Sequence, residues 1–371
     1  MQAPVRFLYS LRRGASPGVL AAALAVASMF SASPFVIPSV ADRLDVALGL
    51  AGLMSTCQVG AFAIVSLVAG RSVSPGRATV VTAALIAALA NLGSAVAPSF
   101  IWLLGTRLVA GGAAGALTWV AWADAMQQPA AMRSVAVIGP LTTFVMSPVF
   151  GWLVAERGDQ AVFMVLALLS LPAILLPVRV LGTGRATRQR SGSRSNRVLL
   201  AALFLLTMAG SSLFIYAAAA AAELLGLSLS AAAWAYSLNA AASMVATHLN
   251  ARSGTGGLWL SLTGLSAAAL VLVPSTPVFY VAMALWGFGF WMGVPETFRA
   301  LAARSLTPEE RIGDAQSGMA LGRALGPFLG GLLVGDGAFR SLGVAAAAGL
   351  LTASGTIAGV ERHRSRSASR A

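Results

Sequence analysis

The chain has 371 residues, of which 57% are hydrophobic and 10% charged, and its mean hydropathy is +0.81. A soluble domain carries about 25% charged residues, so an ordinary soluble domain is excluded. The net charge of +13 comes from 25 arginines and no lysine; they fall between apolar segments rather than on one domain or recognition motif, which argues against nucleic-acid binding and makes them a topology signal.

Residues 1–17 form a basic tail with Arg6, Arg12 and Arg13. The apolar run 18–40 is too long for the core of a signal peptide and is the first predicted span. A short turn, ADRLD, leads to a second span over 46–69, and the basic turn GRSVSPGR leads to a third over 78–97. A fourth follows over 100–123, and spans over 134–155 and 160–180 are joined by ERGD. Residues 181–197, rich in Gly, Ser and Arg, lack the apolar surface to fold and read as a linker. The second half supplies spans near 198–222, 228–249, 258–273, 277–297, 315–335 and 338–360, and residues 361–371 form a basic tail. The expectation is an all-α polytopic membrane protein. Twelve transmembrane helices form two six-helix halves, 18–180 and 198–360.

Arginine placement sets the orientation. With the N-terminus inside, 20 arginines fall on the inner side and three, Arg43, Arg157 and Arg340, on the outer, while the acids divide evenly. Positive residues alone obey such a rule, so both termini and the linker are expected in the cytoplasm, with the protein integral to the cell inner membrane.

Two arginines remain inside spans, Arg107 and Arg323. A charge at membrane depth is costly and is usually kept for a bundle interior or a water-filled path. Arg107 begins RLVAGGAAG, which puts Gly111 and Gly115 on its face of a helix; snorkelling to the outer headgroups is the alternative for it, as it is for Arg323 at the other surface. Gly322, Gly326 and Gly330 recur every fourth residue in GRALGPFLGG, a face that lets a second helix approach closely. Pro327 should bend that helix. Arg133 and Pro148 recur as Arg311 and Pro327 at offsets of 178 and 179 residues, which indicates an internal duplication. Asp42, Asp45 and Glu223 stand at outer span ends, Asp124 and Glu296 at inner ones. The only histidines are His248 and His363, and no GxxxxGK[ST] occurs, so neither an enzyme site nor ATP-driven export is expected. No cofactor or metal is expected, and Cys57 reads as a buried small hydrophobe.

These residues resemble the major facilitator superfamily, closest to its proton-coupled drug and metabolite efflux branch. RLVAGGAAG is similar to the family's R-x-x-x-G signature of the fourth span. TFVMSPVFGW is a worn form of the glycine–proline motif G-x-x-x-G-P-x-x-G-G associated with antiporters, and GRALGPFLGG matches that motif at every fixed position. PAAMR and PEER follow the fourth and tenth spans. The loop after the second span departs from the family's G-x-L-A-D-R-x-G-R: AGRSVSPGR keeps Gly76 and Arg77 and lacks the acid. The resemblance implies that Arg107 takes part in coupling and that Pro148, Gly151, Gly322, Gly326, Pro327, Gly330 and Gly331 form the packing and gating motifs. It also implies that spans 1, 4, 7 and 10 line a cavity with Met29, Trp119, Tyr216, Trp286 and Phe290.

The expected function is a secondary active transporter, a monomer in the lipid bilayer, exporting a hydrophobic or weakly polar small molecule by alternating access in exchange for protons. Glu223 or Asp42 is the expected titrating group. A uniporter or proton symporter for a small nutrient is the first alternative, and a non-transporting receptor or scaffold on the same fold is the second.

Overall fold

The computed structural model describes residues 15–125, 129–179, 194–249, 251, 254–303, 308–334 and 337–368. The N-terminal tail to residue 14, most of the linker expected at 181–197 and the last three residues lie outside these, as do the side chains of Arg133 and Arg311. The described residues are all α-helix and short connections. A chain in hydrocarbon must satisfy every backbone polar group internally, which the helix does within each segment.

Nine helices among the described residues are long and apolar enough to cross a membrane. One of them, Pro129–Leu175, is broken at Gly158 (φ 74°) and supplies both the fifth and the sixth spans. With Leu229–His248 and Gly256–Leu272 the set comes to twelve. The remaining spans, in order, are Pro17–Leu44; Leu48–Ala51 continued by Leu53–Ser72; Arg77–Ala95; Phe100–Ala125; Arg194–Phe214 continued by Ala217–Leu225; Thr276–Ala302; Pro308–Val334; and Phe339–Ala368. The protein is therefore an all-α, twelve-helix polytopic membrane protein.

The spans sort into two compact units. One comprises Met1–Val46 and Cys57–Arg185, the other Ala47–Thr56 and Ala186–Ala371. In the first, span 1 packs on spans 4 to 6, and span 3 packs on span 4 and on the broken helix of spans 5 and 6. In the second, span 7 packs on spans 11 and 12, and span 9 on spans 10 and 12. Each of these second-unit pairings repeats one six spans earlier, as a duplicated bundle requires.

Packing within each unit is by small residues. Ala22, Ala25, Ala84, Ala87, Ala110, Ala114, Ala232 and Ala353 are fully buried, whereas Ile101, Leu175, Leu258 and Leu332 are exposed. A soluble fold buries its large apolar side chains. Here many large ones also face outward into lipid, while the small ones let helix backbones meet.

Several expected boundaries move. The eleventh span begins at Pro308, and the twelfth runs to Ala368, through polar sequence. ERGD is helical apart from Gly158 rather than a loop. Span 7 is broken at Ile215 and Tyr216.

Candidate functional site

Arg107 projects from span 4, about two turns beyond Phe100, into the first unit and is 1% exposed. Its Nε donates to Ser94 Oγ at 3.0 Å and its Nη1 to Gln58 Oε1 at 3.2 Å. Its Nη2 donates to Asn91 Oδ1 at 2.8 Å and Ser94 Oγ at 2.6 Å, with a longer contact to the Ala90 carbonyl. The Phe163 ring of span 6 lies 4.7 Å from the guanidinium carbon. Spans 2, 3, 4 and 6 therefore meet on this one side chain. Asn91 and Ser94 sit three residues apart on span 3, so they share a helix face and accept from the same fork. Burial rules out snorkelling for Arg107.

Glycine makes this possible. A methyl group built on Gly111 would overlap the Gln58 backbone, and one on Gly115 would lie 2.5 Å from the Phe62 carbonyl. Ser66 Oγ donates to the Gly115 carbonyl at 3.1 Å. The glycines thus bring span 2 close enough for Gln58 to reach the guanidinium.

A second polar joint lies where span 1 meets the break between spans 5 and 6. Arg43 forks onto Asp159 through Nε (3.0 Å to Oδ2) and Nη2 (2.7 Å), and Nη1 donates to the Ala97 carbonyl. Ser39 Oγ donates to Asp159 Oδ1 at 3.1 Å, and Asp159 is 1% exposed. The buried carboxylate is fully matched by its partners.

The second unit is organised around the break in span 7. Tyr236 Oη, from span 8, donates to the Phe214 carbonyl at 2.8 Å and accepts from the Ala218 amide at 3.2 Å. One hydroxyl thereby satisfies a carbonyl and an amide that the break removes from the helical ladder. Tyr216 Oη donates to the Pro327 carbonyl at 2.9 Å. Phe214 stacks edge-on against Tyr236 at 5.0 Å and tilted against Trp286 at 5.7 Å. Gly322, Gly326 and Gly330 all face span 7, where added methyl groups would meet the backbone of Phe204, Met208 and Ser212. Gly331 faces the Gly49 carbonyl in the same way. At the start of span 9, buried Glu361 accepts from the Gly256 and Gly257 amides at 3.2 and 3.1 Å, and buried Glu296 accepts from the Gly254 amide at 2.9 Å.

The remaining sequence candidates scatter. Asp42 and Glu223 are exposed at span ends, and Arg323 is exposed on span 11. Met29, Tyr216 and Trp286 are buried inside their own bundles, while Trp119 and Phe290 are half-buried. Pro148 is half-buried and Gly151 buried on span 5, which is joined to span 1 by a 2.8 Å hydrogen bond between Ser31 and Thr143. Sequence reasoning missed the Tyr236 staple and the Arg43–Asp159 fork. Asn91 and Gln58 were visible as rare amides inside apolar runs, without any sign that they converge on Arg107.

The family model described as Major Facilitator Superfamily matches residues 18–317. No curated protein sequence matches the chain. Among solved structures, a bacterial homologue of the human lysosomal transporter Spinster, in an inward-facing and occupied conformation, aligns at 15% identity with a TM-score of 0.70, covering 99% of this chain and 97% of its own. The POT family transporter PepTSo aligns at 11% identity and TM-score 0.72, with 94% and 97% covered. The human organic anion transporter MFSD10 (TETRAN) aligns at 17% and 0.62, with 92% and 97% covered. Identities this low speak for the shared fold alone.

Proposed function

Because the chain belongs to the Major Facilitator Superfamily, and is therefore a secondary transporter of a small molecule, we propose that it exports a hydrophobic or weakly polar solute by alternating access in exchange for protons. The observation that carries this reading is the polarity of the bundle interiors. Met29, Tyr216 and Trp286 are buried, and the aromatic group Phe214, Tyr236 and Trp286 fills the middle of the second unit. The buried carboxylates Asp159, Glu296 and Glu361 lie at helix ends, each with its own partners. A strongly polar cation would find no uncommitted counter-charge among them.

Proton exchange is assigned to Glu223 or Asp42, both exposed at span ends and therefore open to solvent. The exposed Arg323 and the buried Arg107 are the further coupling candidates. The gradient supplies the work, since the solute and the proton favour opposed states of one carrier.

The test is flux of a panel of hydrophobic solutes from proteoliposomes under an imposed pH gradient. Export should collapse with a protonophore, and its pH profile should shift in Glu223→Gln or Asp42→Asn. Flux indifferent to gradient and protonophore would leave a facilitator and remove the exchange.

A further inference from the structure

Arg107 carries a buried charge that nothing around it neutralises. All of its hydrogen-bond acceptors are neutral: two side-chain amides, one hydroxyl and one carbonyl. Among the described side chains of the first unit, Asp42, Asp45 and Glu156 are exposed, and Asp159 is committed to Arg43. The surroundings also hold donors in surplus. A guanidinium has five N–H groups, and one of the two on Nη1 has no acceptor. Gln58 and Asn91 turn their oxygens to Arg107, which leaves Gln58 Nε2 and Asn91 Nδ2 buried without partners. Gln58 is 2% exposed and Asn91 is fully buried. An unpaired buried charge and orphaned buried donors are each unfavourable, and one negatively charged acceptor would relieve all of them.

We propose that Arg107, Gln58 and Asn91 form an anion-binding site in the first unit, taking a carboxylate of the transported solute or a free monovalent anion. Phe163, stacked on the guanidinium face, leaves the N–H edge for the ligand. Gln58 is the acceptor that must give way. Its backbone meets span 4 at Gly111, and its Oε1 is the acceptor for Nη1. Turning the Gln58 amide about its last torsion would take Oε1 off Nη1 and bring the unpartnered Nε2 to the same edge as a further donor. The site rests on the carrier reading only in naming the solute as one source of the anion; binding itself is measured without flux.

The experiment follows thermal unfolding of the purified, detergent-solubilised carrier in sodium chloride, in sodium benzoate, and in benzamide, which has the shape of benzoate without its charge. Wild type should show a saturable rise of unfolding temperature with an anion and none with benzamide. Arg107→Gln should abolish the rise. Asn91→Asp, which builds a counter-charge 2.8 Å from Nη2, should raise the unfolding temperature in the absence of added anion and abolish the response to it. A response to both chloride and benzoate identifies a free anion as sufficient; a response to benzoate alone identifies the carboxylate of an organic solute. Equal shifts with benzoate and benzamide, or an anion response that survives in Asn91→Asp, overturns the site. Loss of proton-driven export with this binding intact would remove the exchange reading and leave the site standing.

Discussion

Replacing Gly326 tests whether the glycine stripe of span 11 is a contact between helices. A methyl group at Gly326 would stand 2.5 Å from the Met208 carbonyl oxygen and 2.9 Å from the Ser212 amide nitrogen. Comfortable contact needs about 3.5–4.0 Å, so spans 7 and 11 must separate by about 1 Å. The Ser211 hydroxyl lies nearer still and can rotate away, but these two obstacles are backbone, which cannot swing aside. Overpacking of this kind costs about 1–3 kcal/mol. Against it, alanine gains about 1 kcal/mol over glycine in a helix, so Gly326→Ala should lose up to about 2 kcal/mol net. The backbone contacts make alanine the first damaging step. Gly326→Leu drives a branched side chain into the same gap and should abolish flux in protein that still inserts. Gly355, where an added methyl group meets nothing within 4 Å, is the control, and Gly355→Ala should be neutral or slightly stabilising. Unfolding temperature in detergent and flux in proteoliposomes read the two effects separately. Wild-type flux and stability in correctly inserted Gly326→Leu would show that the stripe faces lipid.

Tyr236→Phe removes the hydroxyl that serves both sides of the span 7 break and should destabilise the second unit by about 1–3 kcal/mol, because a buried amide and carbonyl are left unmet; an unfolding temperature equal to wild type would show that the break needs no staple. Asp159→Asn should cost about 3 kcal/mol, the low end for a broken buried pair because Arg43 is partly exposed, and Arg43→Met with Asp159→Leu together should recover part of it; no recovery in the double variant would mean that the fork is not a coupled pair. Reporter fusions active only outside the membrane should be silent at Arg190 and active at Arg157, an exposed residue; the opposite pattern would reverse the orientation inferred from 20 arginines on one side and three on the other.

The twelve spans were legible because bilayer thickness fixes the length of an apolar run, whatever the helices do afterwards. For the same reason their ends were not. Hydropathy reports where lipid stops, and the helical ladder continues in water, as it does from Pro308 to residue 314 and along residues 361–368. The break in span 7 was hidden by its own sequence. Six consecutive alanines follow Tyr216, and alanine is the best helix former, so local propensity argues for continuity. The partner that stabilises the break, Tyr236, comes from another span. At Arg107 the cost of a charge at depth marked the residue, but nothing marked Asn91 and Ser94 as its partners on span 3. That span 2 would supply the third partner depended on glycine contacts between helices, which no single-helix pattern encodes.

The duplicated bundles share their pairings and differ in how the corresponding joint is made. In the second unit the complete glycine–proline motif lays span 11 against the backbone of span 7, through contacts that set distance. Among the described residues two directional bonds cross it, from Tyr216 Oη to the Pro327 carbonyl and, longer, from Ser211 Oγ to the Gly322 carbonyl. The rest is van der Waals contact, in which a small slide exchanges one contact for another. In the first unit three of the glycines are replaced, by Thr143, Ser147 and Trp152. Trp152 points outward, 53% exposed, and Ser147 is buried with its hydroxyl unmet. Span 5 is instead tied to span 1 by the Ser31–Thr143 bond, which is directional and sets register. Moving that joint breaks a hydrogen bond inside a low-dielectric interior, where replacement partners are scarce. The worn motif is therefore better understood as a different kind of joint than as a decayed one. A pinned first bundle holds the partners of Arg107 in register, while the glycine-faced second bundle keeps the freedom for a helix to shift.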